Sequence, residues 1–123
     1  MKELIIKASE DSPRIELIAS ENIFHISERS FPENATEFYK PIIDWFNEYK
    51  TSPNSTTILE VKLEYFNTSS SKQLAKILLI LEKISKTSSV LIKWFFAEND
   101  IDILSSGKRY AKLIDLKFEF IQL

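Results

Sequence analysis

The chain has 123 residues, 44% of them hydrophobic and 12% aromatic, with one glycine and no cysteine. That is long enough for a continuous core and too apolar for disorder, and it excludes disulfides, thiolate nucleophiles and zinc knuckles. Sixteen basic against eighteen acidic residues give a formal charge of -2 with no basic stripe, so nucleic acid is not the expected partner.

No apolar run reaches the roughly 18 residues of a membrane span, and the amino terminus has no signal-peptide core. The expectation is a single cytoplasmic domain over residues 1–123. The segment "KELIIKA" (2–8) reads as a short strand. "RIELIAS" and "NIFHISE" follow as alternating strands, with Ile15, Leu17 and Ala19 on one face and Phe24 and Ile26 on the next. Ser20, Glu21 and Asn22 supply the turn between them, Asn22 tolerating a left-handed backbone. These strands belong in an antiparallel arrangement or at a sheet edge.

Asn34 and Glu37 have the spacing of a capping box and open a helix. Its buried stripe is Ala35, Phe38, Ile42, Trp45 and Tyr49, and Pro41 inside it predicts a kink or a restart. "TTILEVKLEYF" (56–66), rich in β-branched and aromatic residues, reads as a central strand. A second helix is predicted from about Ser70 to Lys86 and a strand over 89–97. A third helix spans about 100–113, with Ile103, Leu104, Tyr110 and Leu113 at helical steps and Gly107 as a close-packing point. "DLKFEFIQL" closes the chain as a strand. Strand and helix alternate through the latter half, which implies right-handed crossovers and parallel neighbours. The fold class is α/β: a mixed sheet of about six strands carrying three helices.

In such sheets functional groups collect where strands end and helices begin. "FNTSSSK" ends the strand 56–66 and "AENDID" (97–102) ends the strand 89–97. If these strands are parallel, Thr68 and the acids Glu98, Asp100 and Asp102 share one rim. Asn67, Thr68, Ser69 and Ser70 all qualify as helix caps, and Ser70 with Gln73 has capping-box spacing. A hydroxyl at a helix start is also where a phosphate is tolerated, because free amides and the helix dipole favour an anion. The acids serve there as helix-start charges, and their spacing does not match a calcium loop, so no metal is expected. His25 is the only histidine, on an alternating strand, and reads as a surface or packing residue. One glycine cannot build a Walker loop or a dinucleotide fingerprint, and no nucleophile elbow flanks any serine. Trp45 and Trp94 lie within apolar patterns and belong to the core. No catalytic residue and no cofactor is expected.

"YFNTSSSK" (65–72), preceded by "FPENATEFYKPIIDWFNEY" (31–49) and followed by "IKWFFAENDIDIL" (92–104), resembles the SiaC family of bacterial regulatory phosphoproteins over nearly the whole chain. The resemblance implies a STAS-like fold, related to anti-sigma-factor antagonists, and a non-enzymatic partner switch. A protein kinase would phosphorylate the threonine of the motif, here Thr68, and a metal-dependent Ser/Thr phosphatase would remove the phosphate. The unmodified form would bind and activate a diguanylate cyclase, raising cyclic di-GMP and promoting biofilm formation. Asn67, Ser69, Ser70, Ser71, Lys72, Glu98, Asp100 and Asp102 would form the partner-binding surface. The alternative is a small-molecule-binding or hydrolytic domain using the rim hydroxyls and acids, which requires a pocket at Thr68. A purely structural assembly subunit would be indifferent to changes there.

Overall fold

The computed structural model describes residues 1–123. Three strands come first: β1 (Leu4–Ile6), β2 (Arg14–Ile18) and β3 (Ile23–Ser30). Then come α1 (Ala35–Tyr49), β4 (Thr56–Phe66), α2 (Thr68–Ile84), β5 (Ser89–Phe96), α3 (Ile101–Leu113) and β6 (Lys117–Gln122). The six strands form one sheet in sequence order, antiparallel for β1–β2 and β2–β3 and parallel from β3 to β6. The expected mixed sheet, antiparallel edge and parallel latter half are all present. The β2–β3 link contains a single 3-10 turn and reverses at Asn22, whose φ of 56° is the left-handed conformation its side chain tolerates.

One face of the sheet carries the apolar residues: Ile15 and Leu17, Phe24 and Ile26, Leu59, Val61 and Leu63, then Val90, Ile92 and Trp94. They join the buried stripes of all three helices in a single 25-residue cluster, so the helices lie together on that face. Gly107 packs directly under the Trp94 ring in this layer. A Cβ there would lie 2.5–2.7 Å from the Trp94 ring. The indole Nε1 in turn donates to the Ile103 carbonyl at 2.9 Å, which seats α3 on β5.

The opposite sheet face has no helix. Register aligns Glu16, His25, Glu60, Lys93 and Glu119 in one row across it. His25 sits between two carboxylates, Nδ1 3.8 Å from Glu16 and Nε2 3.3 Å from Glu60, and is half-exposed as its alternating strand implies. The bond from Arg14 holds the Glu16 carboxyl below its usual range. Charged side chains across this open sheet face keep it solvated.

Local details depart from the pattern in four places. Pro41 does not restart α1, which runs as one helix. The proline is on the exposed face, where water can reach the Glu37 carbonyl it leaves without a donor. Tyr39 and Phe46 join the buried stripe and Phe38 is only half-buried. The second helix starts at Thr68 rather than Ser70 and ends at Ile84. Leu113, placed on the buried face of α3 by its spacing, is 77% exposed because the helix ends there and the chain turns into β6.

Candidate functional site

Parallel strands β3, β4 and β5 end on the same edge, and each is followed by a helix. That rim therefore holds three helix starts: Asn34, Asn67 and Asp100, evenly spaced along the chain. Each uses its side-chain oxygen to accept the amide three residues on: Glu37 at 3.0 Å, Ser70 at 2.9 Å and Ile103 at 3.0 Å. This satisfies one of the four amides that every helix start leaves without an intrahelical partner. The three starts differ in charge. Glu37 lies in the first turn of α1 and Asp102 in that of α3, whereas the first turn of α2 has no acid.

The hydroxyl run divides in two. Asn67 takes the cap, so Thr68 is the first helical residue and is exposed, as is Ser69. Ser70 points inward and is 0% exposed, accepting from Ser30 Oγ at 2.8 Å. Ser30 has one proton, which is used there, so the 2.6 Å contact with Tyr39 Oη is a bond from the tyrosine to Ser30. The chain Tyr39 to Ser30 to Ser70 ties α1, β3 and α2 together without exposed polar atoms. Desolvation pushes the Tyr39 hydroxyl up to about 12, opposed in part by the polar hydroxyls of Ser30 and Ser70. The neutral phenol is the form that the network needs.

Ser71 is held from the other side. Its Oγ is 2.8 Å from Tyr110 Oη on α3, and that phenol donates to the Ser71 carbonyl at 2.7 Å. Burial raises the Tyr110 hydroxyl as well, offset in part by the bond with Ser71. The amide of Asn67 donates to the Ser30 carbonyl at 3.1 Å, completing the anchorage. A register shift between Glu28 and Arg29, with Glu28 at φ 77°, brings Ser30 opposite Phe66 at the point where α2 begins. Such a left-handed backbone at a non-glycine residue stores strain, tolerated here in fixing the rim.

Among the residues predicted for partner contact, Thr68, Ser69 and Lys72 are exposed on α2. Asn67 is half-buried and committed to the cap. Ser70 was expected beside them and is instead a core residue, because the partner of its hydroxyl, Ser30, lies on β3. No Ser70–Gln73 capping box forms for the same reason. Glu98, Asp100 and Asp102 do lie on the same rim, with Asp100 as the α3 cap. Two open depressions mark it, one lined by residues 97–102 and one by Glu64, Tyr65, Phe66, Asp100, Asp102, Ile103 and Ser106. Neither includes Thr68 or Ser69, so the outward hydroxyls and the acids do not converge on one cavity. Tyr65, half-exposed, packs edge-on against Phe31 at 5.7 Å and adds an aromatic surface beside the helix start. No helix is long and apolar enough to cross a membrane.

Sequence reasoning missed Ser30 and Tyr39 and took Tyr110 for a packing residue. Ser30 and Ser70 are 40 residues apart, so no local spacing could pair them. The surplus of hydroxyls in the run was the one available signal.

The model of the SiaC family of regulatory phosphoproteins matches residues 6–123. An uncharacterised protein of Pseudomonas aeruginosa strain UCBPP-PA14 is 25% identical over 121 residues, covering 98% of this chain and 94% of that one. The solved structure of SiaC of Pseudomonas aeruginosa superposes with a TM-score of 0.90 at 22% identity, covering 100% of both chains. A chain in the crystal structure of the diguanylate cyclase SiaD in complex with its activator SiaC, from the same organism, matches with a TM-score of 0.91 at 22% identity, covering 98% of this chain and 99% of that one.

Proposed function

Because the chain belongs to the SiaC family of regulatory phosphoproteins, we propose that it is a partner switch controlled at Thr68, residues 1–123 acting as one regulatory unit in the cytoplasm. The observation that carries this reading is the contrast at the rim. Thr68 is an exposed hydroxyl in a first helical turn that has unpaired amides, the positive end of a helix dipole and no acid. A phosphate there adds about -1.5 to -2 charges. Lys72 lies one turn further along the same helix face to offset part of that charge. The first turn is anchored by Ser70 and Ser71, so the added charge changes the surface and leaves the core in place.

A protein kinase supplies the phosphate and a metal-dependent Ser/Thr phosphatase removes it. The unmodified form binds and activates a diguanylate cyclase, a reading supported by the solved complex of the similar SiaC with SiaD. The surface involved is Thr68, Ser69 and Lys72 with Glu98, Asp100 and Asp102 across the rim. A dianion on the same rim as those acids makes the rim more negative and repels a partner that docks on the neutral form.

The test is recovery of wild type and Thr68→Ala from host cells, with phosphate mapped by mass spectrometry and the co-purifying proteins identified. Wild type should carry phosphate at Thr68, and Thr68→Ala should carry none there yet retain the cyclase. Phosphate placed elsewhere, with Thr68→Ala modified like wild type, overturns the assignment.

A further inference from the structure

The geometry points to Tyr110 as the positioning residue that withholds Ser71 and leaves Thr68 as the hydroxyl offered for modification on their shared face of α2. This rests on the partner-switch reading and goes beyond it, because it concerns why Thr68 rather than Ser71 is used.

Burial removes Ser70 from competition, since it is 0% exposed. Ser69 is turned about 100° around the helix from Thr68. Ser71 is the true competitor: three residues on, it shares the face of Thr68 and is only half-buried. What distinguishes the two is bonding. Tyr110 has a single hydroxyl proton and gives it to the Ser71 carbonyl at 2.7 Å. The 2.8 Å contact between the two hydroxyl oxygens is therefore a bond from Ser71 to Tyr110. Both ends of the α2–α3 link are satisfied, and the Ser71 proton is committed to α3. Thr68 Oγ1 takes no part in the rim's side-chain bonds.

Phosphoryl transfer from a nucleoside triphosphate requires a hydroxyl whose oxygen is free to approach the γ-phosphorus. The new O–P bond forms as the bond from the γ-phosphorus to the bridging oxygen breaks, the nucleoside diphosphate leaves and the hydroxyl proton passes to a base of the kinase. Ser71 can do this only after leaving Tyr110. Thr68 needs no such release. Selection between Thr68 and Ser71 is thus made by the substrate's own third helix, and the kinase has only Ser69, on another face of α2, left to distinguish.

The experiment compares wild type, Tyr110→Phe and Tyr110→Phe/Ser71→Ala recovered from host cells, with phosphate apportioned over residues 67–72 by fragment-ion mass spectrometry. Tyr110→Phe keeps the ring against Trp94, 5.7 Å away, and loses both bonds to Ser71. The ratio of Ser71 to Thr68 occupancy should rise about fivefold, since the one bond that holds the Ser71 hydroxyl is worth several-fold in an equilibrium. The double variant should return to Thr68 alone. A merely structural tyrosine would alter the melting temperature and total phosphate but not the ratio. A folded Tyr110→Phe protein modified only at Thr68, or a wild type that already shares phosphate between the two, overturns the inference and leaves the switch standing. A wild type with no phosphate in residues 67–72 overturns the switch and this inference with it.

Discussion

The starts of α2 and α3 occupy the same rim and use the same cap geometry, yet they are built for different electrostatics. Asp100 caps α3 with a carboxylate and Asp102 adds a second in its first turn, so the anion that a helix start favours is supplied by the chain itself. Asn67 caps α2 without charge, and the residues after it are alcohols. One site has its negative charge built in; the other is left neutral, where a reversible charge has the largest effect. The difference in anchorage follows the same division. The first turn of α2 is bonded to β3 and α3 through buried or half-buried hydroxyls and reaches Tyr39 of α1 through Ser30, whereas α3 is seated by Trp94 against Gly107.

The largest way to disturb this pair is Gly107→Ala. Alanine is the better helix former by about 1 kcal/mol, so propensity alone predicts a gain. The Cβ would meet the Trp94 ring at 2.5–2.7 Å, and that ring is 1% exposed and bonded to Ile103. Overpacking wins, because a buried indole held by a hydrogen bond cannot swing aside. The expected loss is about 3 kcal/mol in urea unfolding. A variant as stable as wild type would mean that α3 rides loosely on β5 and that its acids are not fixed opposite α2.

Ser70→Ala sharpens the division within α2 itself. It removes the acceptor for Ser30 and leaves a buried hydroxyl with nowhere to donate, at a cost of about 1–2 kcal/mol. Ser69→Ala, one position away and exposed, should stay within about 0.5 kcal/mol of wild type. Chemical denaturation of the two variants decides it. Equal effects would erase the distinction between inward and outward hydroxyls on which the rim's rigidity depends.

The contrast also explains what could be read in advance. Element types and the parallel latter half followed from periodicity, because a strand's alternation and a helix's stripe are local patterns enforced by one core. Gly107 was legible as a close-packing point, but its partner was not, since Trp94 reaches it only through the β5–α3 crossover. The rim acids and Thr68 could be placed together from chain order once β4 and β5 were taken as parallel. The fate of the individual hydroxyls could not. Four adjacent alcohols look equivalent in sequence, and only Tyr39, Ser30 and Tyr110, each supplied by a different element, separate them. Pro41 misled for a related reason: its cost depends on whether the carbonyl it strands is buried, and here the proline lies on the exposed face.

The smallest expected effect is the most direct test of the two helix starts, an exchange of their caps. Asn67→Asp places a carboxylate at the neutral start of α2, keeping an oxygen to accept the Ser70 amide. The charge meets the helix dipole, so stability should rise by about 0.3–1 kcal/mol at low salt and the gain should shrink as salt screens it. Asp100→Asn does the reverse at α3 and should lose a similar amount, since the bond to Ile103 survives and only the charge is removed. The two changes diverge in function. With its own anion beside Thr68, the Asn67→Asp protein should accept less phosphate in host cells, because a dianion would then be added next to an existing charge. Asp100→Asn should accept at least as much as wild type, having lost a repulsive neighbour on the rim. If Asn67→Asp is instead destabilised and fully phosphorylated, the neutral cap is a matter of local packing and the electrostatic contrast between the two helices carries no signal.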